Sequence, residues 1–331
     1  MRLPKAEKQH LPVLLETCVE LLAPALQELG AVVVDATLGM GGHTEAILKA
    51  APNARVIGID RDTQALEMAR ERLAPFGDRF TPVHATYDEI LEVLEDQGVG
   101  QAQGILMDLG VSSWQLDQVE RGFSYSTDAP LDMRMNTTTG PSAADLLNHE
   151  SEAELARIFK QYGEERYAGR IARSIVNTRN EQPLSTTGQL VEVILNSLPS
   201  AARYAPGGHP AKRVFQAVRI AVNDELGGLT RALPAAVEAL AVGGRLVVES
   251  YHSLEDRLVK QEFARGLKIS APQGLPVVTE QYQPYLAELV RGALLADDEE
   301  LARNSRAASV RLRAVTRLRP TPAHLMRMDL T

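Results

Sequence analysis

Short apolar runs alternate with longer helical patterns over the first third of the chain. The runs are rich in Val and Ile and too short for helices, which is typical of buried strands. Between them, apolar residues recur at the three- and four-residue spacing of amphipathic helices. The predicted strands cover residues 32–35, 56–60, 80–84 and 104–108, and the predicted helices cover 10–30, 63–73 and 89–97. Because parallel strands need a crossover, this alternation predicts strand–helix–strand units in a parallel sheet.

A glycine-dense turn follows the first predicted strand, with Gly39, Gly41 and Gly42 ahead of a helical pattern. Glycines let the backbone approach a ligand, and the start of a helix offers it free N–H groups. A dinucleotide fingerprint needs a third glycine where this chain has Thr44, which argues against a dinucleotide oxidoreductase. A P-loop needs Lys and then Ser or Thr after its last glycine, whereas His43 follows Gly42 here. The turn therefore predicts a nucleotide-like ligand of another kind.

Two acids at the ends of the first two strands narrow the choice of ligand. Asp35 precedes the glycines, and an acid there suits a cationic ligand better than a pyrophosphate because like charges repel. Asp60 lies 21 residues after Gly39, close to the offset of about 20 residues at which an acid meets a ribose diol. S-adenosylmethionine has a ribose, an ammonium and a sulfonium but no phosphate. The pattern therefore predicts S-adenosylmethionine as the cofactor.

The next convincing buried strand covers residues 243–250 and begins 135 residues after Asp108. A crossover needs only a few tens of residues, so most of this span must be something else. Helical patterns at 213–225 and 230–240 supply the predicted crossover. Residues 115–210 are then an inserted all-helical subdomain, and 1–114 with 211–331 form the core. Within the insertion, helices are predicted over 142–148, 151–162, 166–179 and 188–198.

Two weaker strand patterns follow, at residues 276–278 and 309–315. The second of these is able to close the edge of the sheet. With the preceding pattern, the chain is predicted to be an α/β protein with a doubly wound, Rossmann-like sheet and a helical insertion.

Composition adds limits on compartment and metal chemistry. The chain of 331 residues is 44% hydrophobic and carries a net charge of −8. Cys18 is its single cysteine, so neither a disulfide framework nor a cysteine-based metal site is expected. No helical His-x-x-x-His spacing links the histidines, and we predict no metal. No apolar run approaches the roughly 20 residues of a membrane span, so we expect no membrane partner and a cytoplasmic location.

Several longer phrases, in order along nearly the whole chain, resemble one family. They include Gly39-Met40-Gly41-Gly42-His43, Gly58-Ile59-Asp60-Arg61-Asp62, Asp108-Leu109-Gly110-Val111-Ser112-Ser113, His209-Pro210-Ala211-Lys212 and Tyr251-His252-Ser253-Leu254-Glu255-Asp256-Arg257. The sequence resembles the bacterial 16S ribosomal RNA cytosine-N4 methyltransferases, the small subunit methyltransferase H or MraW family. The resemblance implies a class I S-adenosylmethionine-dependent methyltransferase fold and an action on the decoding region of 16S ribosomal RNA in the small ribosomal subunit.

The resemblance also implies site residues. The implied cofactor-binding set is Gly41, Gly42, His43, Asp60, Tyr87, Asp108 and Gln115. The implied catalytic set is Asp108, Ser112, Tyr251 and His252. In these roles Asp60 accepts from ribose hydroxyls, Tyr87 stacks on adenine, and Tyr251 stacks on a flipped base. Three bland alternatives stay open: Tyr87 as a loop aromatic, Gln115 as a helix cap, and Ser253 as the cap of the helix that follows His252.

Basic residues indicate where an acidic protein could hold RNA. Arg166, Arg170 and Arg173 recur at helical spacing in the insertion, and the tail from 303 to 327 holds seven arginines and no acid. Arginine pairs with phosphate bidentately, although such stripes are usually solvated or paired with carboxylates. A catalytically silent RNA-binding assembly factor is therefore the alternative to a methyltransferase. The sequence leaves the oligomeric state open between a monomer and a homodimer.

Overall fold

A computed structural model describes residues 11–203, 208–272 and 279–326 of the chain. Three predicted features lie outside these ranges: the first residue of the helix predicted over 10–30, the strand predicted over 276–278, and the last tail arginine, at 327. In the part of the chain that is described, no helix has both the length and the apolar character that crossing a bilayer requires.

One sheet of seven strands carries the fold, in the spatial order β3-β2-β1-β4-β5-β7-β6. The strands are β1 (Val32–Asp35), β2 (Arg55–Asp60), β3 (Phe80–His84), β4 (Ala102–Asp108), β5 (Leu240–Ser250), β6 (Leu286–Glu288) and β7 (Arg311–Arg317). The first five pair in parallel, and β7 is antiparallel to both of its neighbours. The order reverses between β1 and β4, which is where doubly wound sheets bind ligands. The predicted class I methyltransferase fold is confirmed.

Helices cover both faces of the sheet because successive strand residues point to opposite sides. In β1, Val32 and Val34 face one apolar cluster while Val33 faces the other. The helices are α1 (Leu15–Leu22), α2 (Gly42–Ala50), α3 (Thr63–Leu73), α4 (Ile90–Asp96), α5 (Ser113–Asp117), α6 (Ala143–His149), α7 (Glu152–Tyr162), α8 (Ala168–Glu181), α9 (Thr187–Ser197), α10 (Ser200–Arg203), α11 (Lys212–Asn223), α12 (Glu225–Ala239), α13 (Ser253–Leu267) and α14 (Asp298–Arg303). Helices α1, α2 and α3 pack with Val33, and α4, α12 and α13 pack with Val32 and Val34.

The chain divides into two compact units. The first is Met1–Gly110 with Gly227–Thr331, which contains the sheet, and the second is Val111–Leu226. The second unit has an apolar core of its own, to which α7, α8, α9 and α11 contribute. Helix α11 was predicted as part of the sheet crossover, but its buried residues belong to this second core. The unit therefore ends at Leu226, later than the boundary at 210 expected from the sequence.

Two further elements differ from the sequence prediction. The apolar pattern over 10–30 is a short helix, α1, followed by a 3-10 turn at Ala23–Ala25. The strand predicted over 309–315 is β7, but β6 and not β7 lies at the edge of the sheet. With only three residues, β6 is too short to give a period-two pattern.

Candidate functional site

The glycine turn between β1 and α2 is held by packing against neighbouring side chains. Gly39 and Gly41 have φ angles of 51° and 77°, which favour glycine. A Cβ on Gly41 would lie 2.8 Å from Cδ1 of Leu73, and one on Gly42 would lie 2.5 Å from Cγ of Pro12. Close approach to a ligand was the expected reason for these glycines, yet the protein itself already requires them.

Asp60 is fixed in place at the end of β2. Its Oδ2 accepts the N–H of Gly39 at 2.7 Å, and its Oδ1 accepts the N–H of Asp62 at 2.8 Å. Burial raises the pKa of Asp60 to about 6, with the two backbone donors opposing that rise. Each carboxylate oxygen has two lone pairs, so each can accept a further hydrogen bond. The arrangement suits a pair of neighbouring hydroxyl groups.

Asp35, at the end of β1, stabilises the turn and is not open to a ligand. Its side chain is 1% exposed, and Oδ2 accepts the hydroxyl of Thr44 at 2.7 Å. Its Oδ1 accepts the N–H of Thr37 at 3.3 Å. The sequence-based idea that this acid faces a cationic ligand is therefore wrong, because Asp35, unlike Asp60, is fully buried against the glycine turn and the first turn of α2 and cannot reach a ligand.

Asp108 and Tyr251 meet at the ends of the adjacent strands β4 and β5. The Tyr251 hydroxyl donates to Oδ1 of Asp108 at 2.7 Å. The Asp108 N–H donates to the hydroxyl of Thr37 at 2.6 Å, which ties this strand end to the glycine turn. Burial raises the pKa of Asp108, while nearby His43 lowers it. The Asp108 side chain remains 27% exposed, so it can reach a ligand.

His43 lies between two carboxyl groups. Its Nδ1 is 3.8 Å from Oδ2 of Asp108, and its Nε2 is 3.7 Å from Oε2 of Glu249. The same Nε2 is 3.1 Å from the carbonyl oxygen of Val13. The side chain of Glu249 is 0% exposed, and burial is the first cause that raises its pKa well above the ordinary range.

Glu249 is a buried acid that was not among the site residues predicted from the sequence. Cys18, His43 and Glu249 bring a sulfur, a nitrogen and an oxygen within 4.8 Å of one another. We assign no metal to this set, because Nε2 of His43 is already engaged with Val13. The sequence signal for Glu249 was an acid inside an otherwise apolar strand, which requires a partner or a raised pKa.

His252 caps α13, which rules out the open alternative that Ser253 is the cap of this helix. Its Nδ1 accepts the N–H of Glu255 at 3.4 Å. Oε2 of Glu255 in turn accepts the backbone N–H groups of Tyr251 and His252. The catalytic role of His252 stays a prediction that rests on the resemblance.

Tyr87 lies in the loop after β3, in a 3-10 turn that Thr86 and Glu89 cap reciprocally. The N–H of Ala85, in the same loop, donates to the carbonyl of Asp60 at 3.3 Å. The start of this loop therefore lies beside the end of β2. The Tyr87 ring packs over Gly228, where an added Cβ would lie 3.4 Å away. This position is consistent with a stacking role, which stays a prediction.

Ser112 and Gln115 belong to the second unit and form a capping box. Oγ of Ser112 accepts the N–H of Gln115 at 3.2 Å, and Oε1 of Gln115 accepts the N–H of Ser112 at 2.9 Å. Their observed role is to start α5. Catalysis by Ser112 and cofactor binding by Gln115 stay predictions that rest on the resemblance.

The arginines of β7 are paired with carboxylates of the protein itself, and two of the three, Arg313 and Arg317, are largely covered. Arg313 binds both oxygens of Asp256, and Arg311 lies 3.4 Å from the same carboxylate. Arg317, 2% exposed, bonds to Glu238 and to the Leu240 carbonyl. The interpretation of these tail arginines as RNA contacts is therefore not supported.

By contrast, the three arginines of the insertion that follow helical spacing lie at the protein surface. They are Arg166, Arg170 and Arg173, all exposed at or near the first half of α8. Arg173 lies 3.3 Å from Glu152, an ion pair between two exposed side chains. Such a pair is weak in water and can give way to a phosphate.

Comparisons with known proteins extend over nearly the whole chain. Residues 7–318 match the MraW methylase family. A protein of Beutenbergia cavernae named ribosomal RNA small subunit methyltransferase H is 63% identical, over 96% of this chain and 95% of its own length. Its namesake in Streptomyces avermitilis is 59% identical, over 95% and 98%. An rRNA methylase structure from Streptococcus thermophilus aligns over 92% of this chain and 95% of its own, with a TM-score of 0.42 and 12% identity. On the sequence matches, the chain belongs to the MraW methylase family.

Proposed function

We propose that this protein transfers a methyl group from S-adenosylmethionine to the N4 amine of a cytosine in the decoding region of 16S ribosomal RNA. The observation that carries the proposal is the Asp60 carboxylate, oriented by Gly39 and Asp62 and able to accept two more hydroxyl hydrogens. The names of relatives 63% and 59% identical support ribosomal RNA as the substrate. The choice of cytosine N4 rests on the family resemblance.

The residues present fit S-adenosylmethionine. Asp60 would hold the ribose hydroxyls, and Tyr87 would cover the adenine. Gly41, Gly42 and His43 would surround the methionine part. When bound, the cofactor supplies a methyl group on a positively charged sulfur. In its ionised form Asp108, which is 27% exposed, would provide a matching negative charge.

The transfer is an in-line displacement, so the protein contributes mainly by positioning the amine. Cytosine N4 is a weak nucleophile because its lone pair is delocalised into the ring. The hydroxyl of Tyr251 fixes one oxygen of Asp108. The other oxygen of Asp108, Oδ2, would accept an N–H of the amine and so hold the amine in place. The same oxygen would receive the proton of the amine as the carbon–nitrogen bond forms.

We assign RNA binding to the second unit, in particular to the exposed arginines of α8. A protein with net charge −8 must concentrate positive potential locally to hold a polyanion. The substrate is then 16S ribosomal RNA within the small subunit, in the cytoplasm where subunits are assembled.

The test is methyl transfer from radiolabelled S-adenosylmethionine to small subunits from cells that lack the protein. We expect label in 16S ribosomal RNA with the wild-type protein and strongly reduced label with Asp108→Asn, whose amide cannot take the proton. Calorimetry with S-adenosylmethionine shows whether each variant still binds the cofactor. RNA binding without any transfer of label would instead favour the silent assembly factor.

A further inference from the structure

Glu249 occupies an unusual position for a carboxyl group. It lies near the end of β5 and is 0% exposed, with the side chains of Cys18 and Asp108 against it, but within the described residues neither of its oxygens accepts a hydrogen bond of good geometry. A buried charge without such partners is costly, so the group is either protonated or balanced by a nearby cation. The one basic group against it, within the described residues, is His43 at 3.7 Å.

His43 lies between the buried carboxyl group of Glu249 and the partly exposed carboxyl group of Asp108. The Val13 carbonyl can only accept, so the Nε2 atom at 3.1 Å from it carries a hydrogen. That N–H also faces Glu249, while Nδ1 faces Asp108 at 3.8 Å. Asp108, His43 and Glu249 form a row whose exposed fractions are 27%, 6% and 0%. We call it the acid–imidazole–acid row.

The groups that face Glu249 from the surrounding elements decide how the row responds to charge. They are Cys18 of α1, His43 of α2, Asp108 of β4 and Glu300 of α14, with Tyr251 following β5. Burial raises the pKa of Glu249 and of the Cys18 thiol, which keeps both toward their neutral forms. A cation placed at Asp108 shifts this balance, because it favours the state of the row with one proton fewer.

We propose that Glu249 couples, through His43, the protonation of this row to the charge of the ligand at Asp108. This inference rests on the proposed function. Binding of the sulfonium cofactor expels a proton, and formation of the neutral thioether product lets a proton return. Glu249 is thus a positioning residue that favours the cofactor over its product.

The balance of the reaction agrees with this role. The carbon–sulfur bond breaks and its electron pair stays on sulfur, which becomes neutral. The carbon–nitrogen bond forms, and the amine loses one proton. That proton can enter the row through Asp108, so the positive charge lost at sulfur is replaced within the row.

Calorimetry of the full-length protein in two buffers with different heats of ionisation measures proton exchange on binding. The titrants are S-adenosylmethionine and S-adenosylhomocysteine, which differ in the charge on sulfur; because the sulfonium also makes the ligand's own ammonium group more acidic, the ammonium titration of each free ligand is measured separately and its share of the proton release is subtracted. Measurements above about pH 7 keep Asp60 ionised throughout. In the wild type we expect more proton release with the sulfonium, and release of one full proton would raise its association constant about tenfold per pH unit.

The decisive variant is Glu249→Gln, which preserves shape but cannot exchange a proton. We expect its two ligands to release equal amounts of proton. The matched control is Glu262→Gln, a buried acid of the same unit that pairs with Arg265, and it should retain the wild-type difference. If folded Glu249→Gln keeps the full difference, the inference is wrong.

Wild-type protein alone gives a second readout should Glu249→Gln fail to fold. Infrared difference spectra with carbon-13 glutamate should show a protonated glutamate carboxyl that diminishes on S-adenosylmethionine binding. An unchanged spectrum, equal proton release by the two ligands, or stoichiometric bound metal by elemental analysis would overturn the inference. Absence of any S-adenosylmethionine binding would instead overturn the proposed function.

Discussion

Under the proposed function, Asp60 is the single residue on which we expect cofactor affinity to depend most. Its folded pKa of about 6 is higher than the reference value of 3.8, so ionising it destabilises the fold as pH rises through this window and has no further effect above it. Hydroxyl donors favour the ionised form. Ligand binding therefore offsets part of the cost of keeping this group charged.

We expect the contribution of Asp60 to S-adenosylmethionine affinity to be constant above about pH 6, where the carboxylate is ionised. Below about pH 6 the affinity should fall as much as tenfold per pH unit. Asp60→Asn should weaken binding by roughly 1.5–3 kcal/mol, the scale of hydrogen bonds to a charged acceptor, and should remove the acidic fall. S-adenosylhomocysteine, titrated from about pH 5 to about pH 8, isolates this effect from the sulfonium charge. Wild-type affinity in Asp60→Asn would remove Asp60 from the site.

Sequence reasoning found residues whose position follows from topology alone. Asp60 and Asp108 each end a parallel strand, and such strand ends share one edge of the sheet. The sequence could not show which of these acids is buried and bonded within the protein and which remains accessible to a ligand. Asp35 also ends a parallel strand, but it is buried and accepts hydrogen bonds from Thr44 and Thr37. Only the folded chain brings His43 between Asp108 and Glu249.

At the scale of elements, the turn before α2 is constrained by both backbone conformation and packing. Gly41 and Gly30 have nearly the same φ, 77° and 79°, but only Gly41 would place a Cβ against Leu73. We expect Gly30→Ala to lower the free energy of unfolding by about 1 kcal/mol through backbone strain. Gly41→Ala should lose a further 1–3 kcal/mol or so by overpacking. Equal losses in chemical denaturation would show that Leu73 adjusts freely.

The arginines of β7 and those in or just before the first half of α8 should behave oppositely when each set is changed to Ala. Changing Arg311, Arg313 and Arg317 should lower the melting temperature, because a buried ion pair loses one partner. The salt dependence of RNA binding should stay the same. Changing the exposed Arg166, Arg170 and Arg173 should preserve melting and reduce the salt slope by about one unit for each phosphate that is no longer bound. The reverse pattern would place the RNA-binding surface on β7.

Helix periodicity predicted where helices form better than it predicted the core against which each helix packs. The pattern over 63–73 predicts α3 with the same bounds, and in the structure Asp62 caps this helix. Helix α11 was also found, but an amphipathic face does not state which core it meets. Only the folded chain shows Val214 and Val218 in the core of the second unit.

At the scale of the whole molecule, the two units have separate apolar cores. No residue of the core in Val111–Leu226 belongs to the two clusters that flank the sheet, within the described ranges. Replacing Val111–Leu226 by a short flexible linker should therefore leave a sheet unit that melts cooperatively. Thermal unfolding followed by circular dichroism tests this. A non-cooperative transition would mean that the insertion is needed for the sheet unit to fold.

The most direct test of the central claim is mass mapping of 16S ribosomal RNA from cells with and without this protein. We predict that one cytosine of the decoding region loses the mass of one methyl group when the protein is absent. Nucleoside analysis should assign that methyl group to N4, and wild-type protein, but not Asp108→Asn, should restore it. An identical methylation map in both cell types would contradict the account.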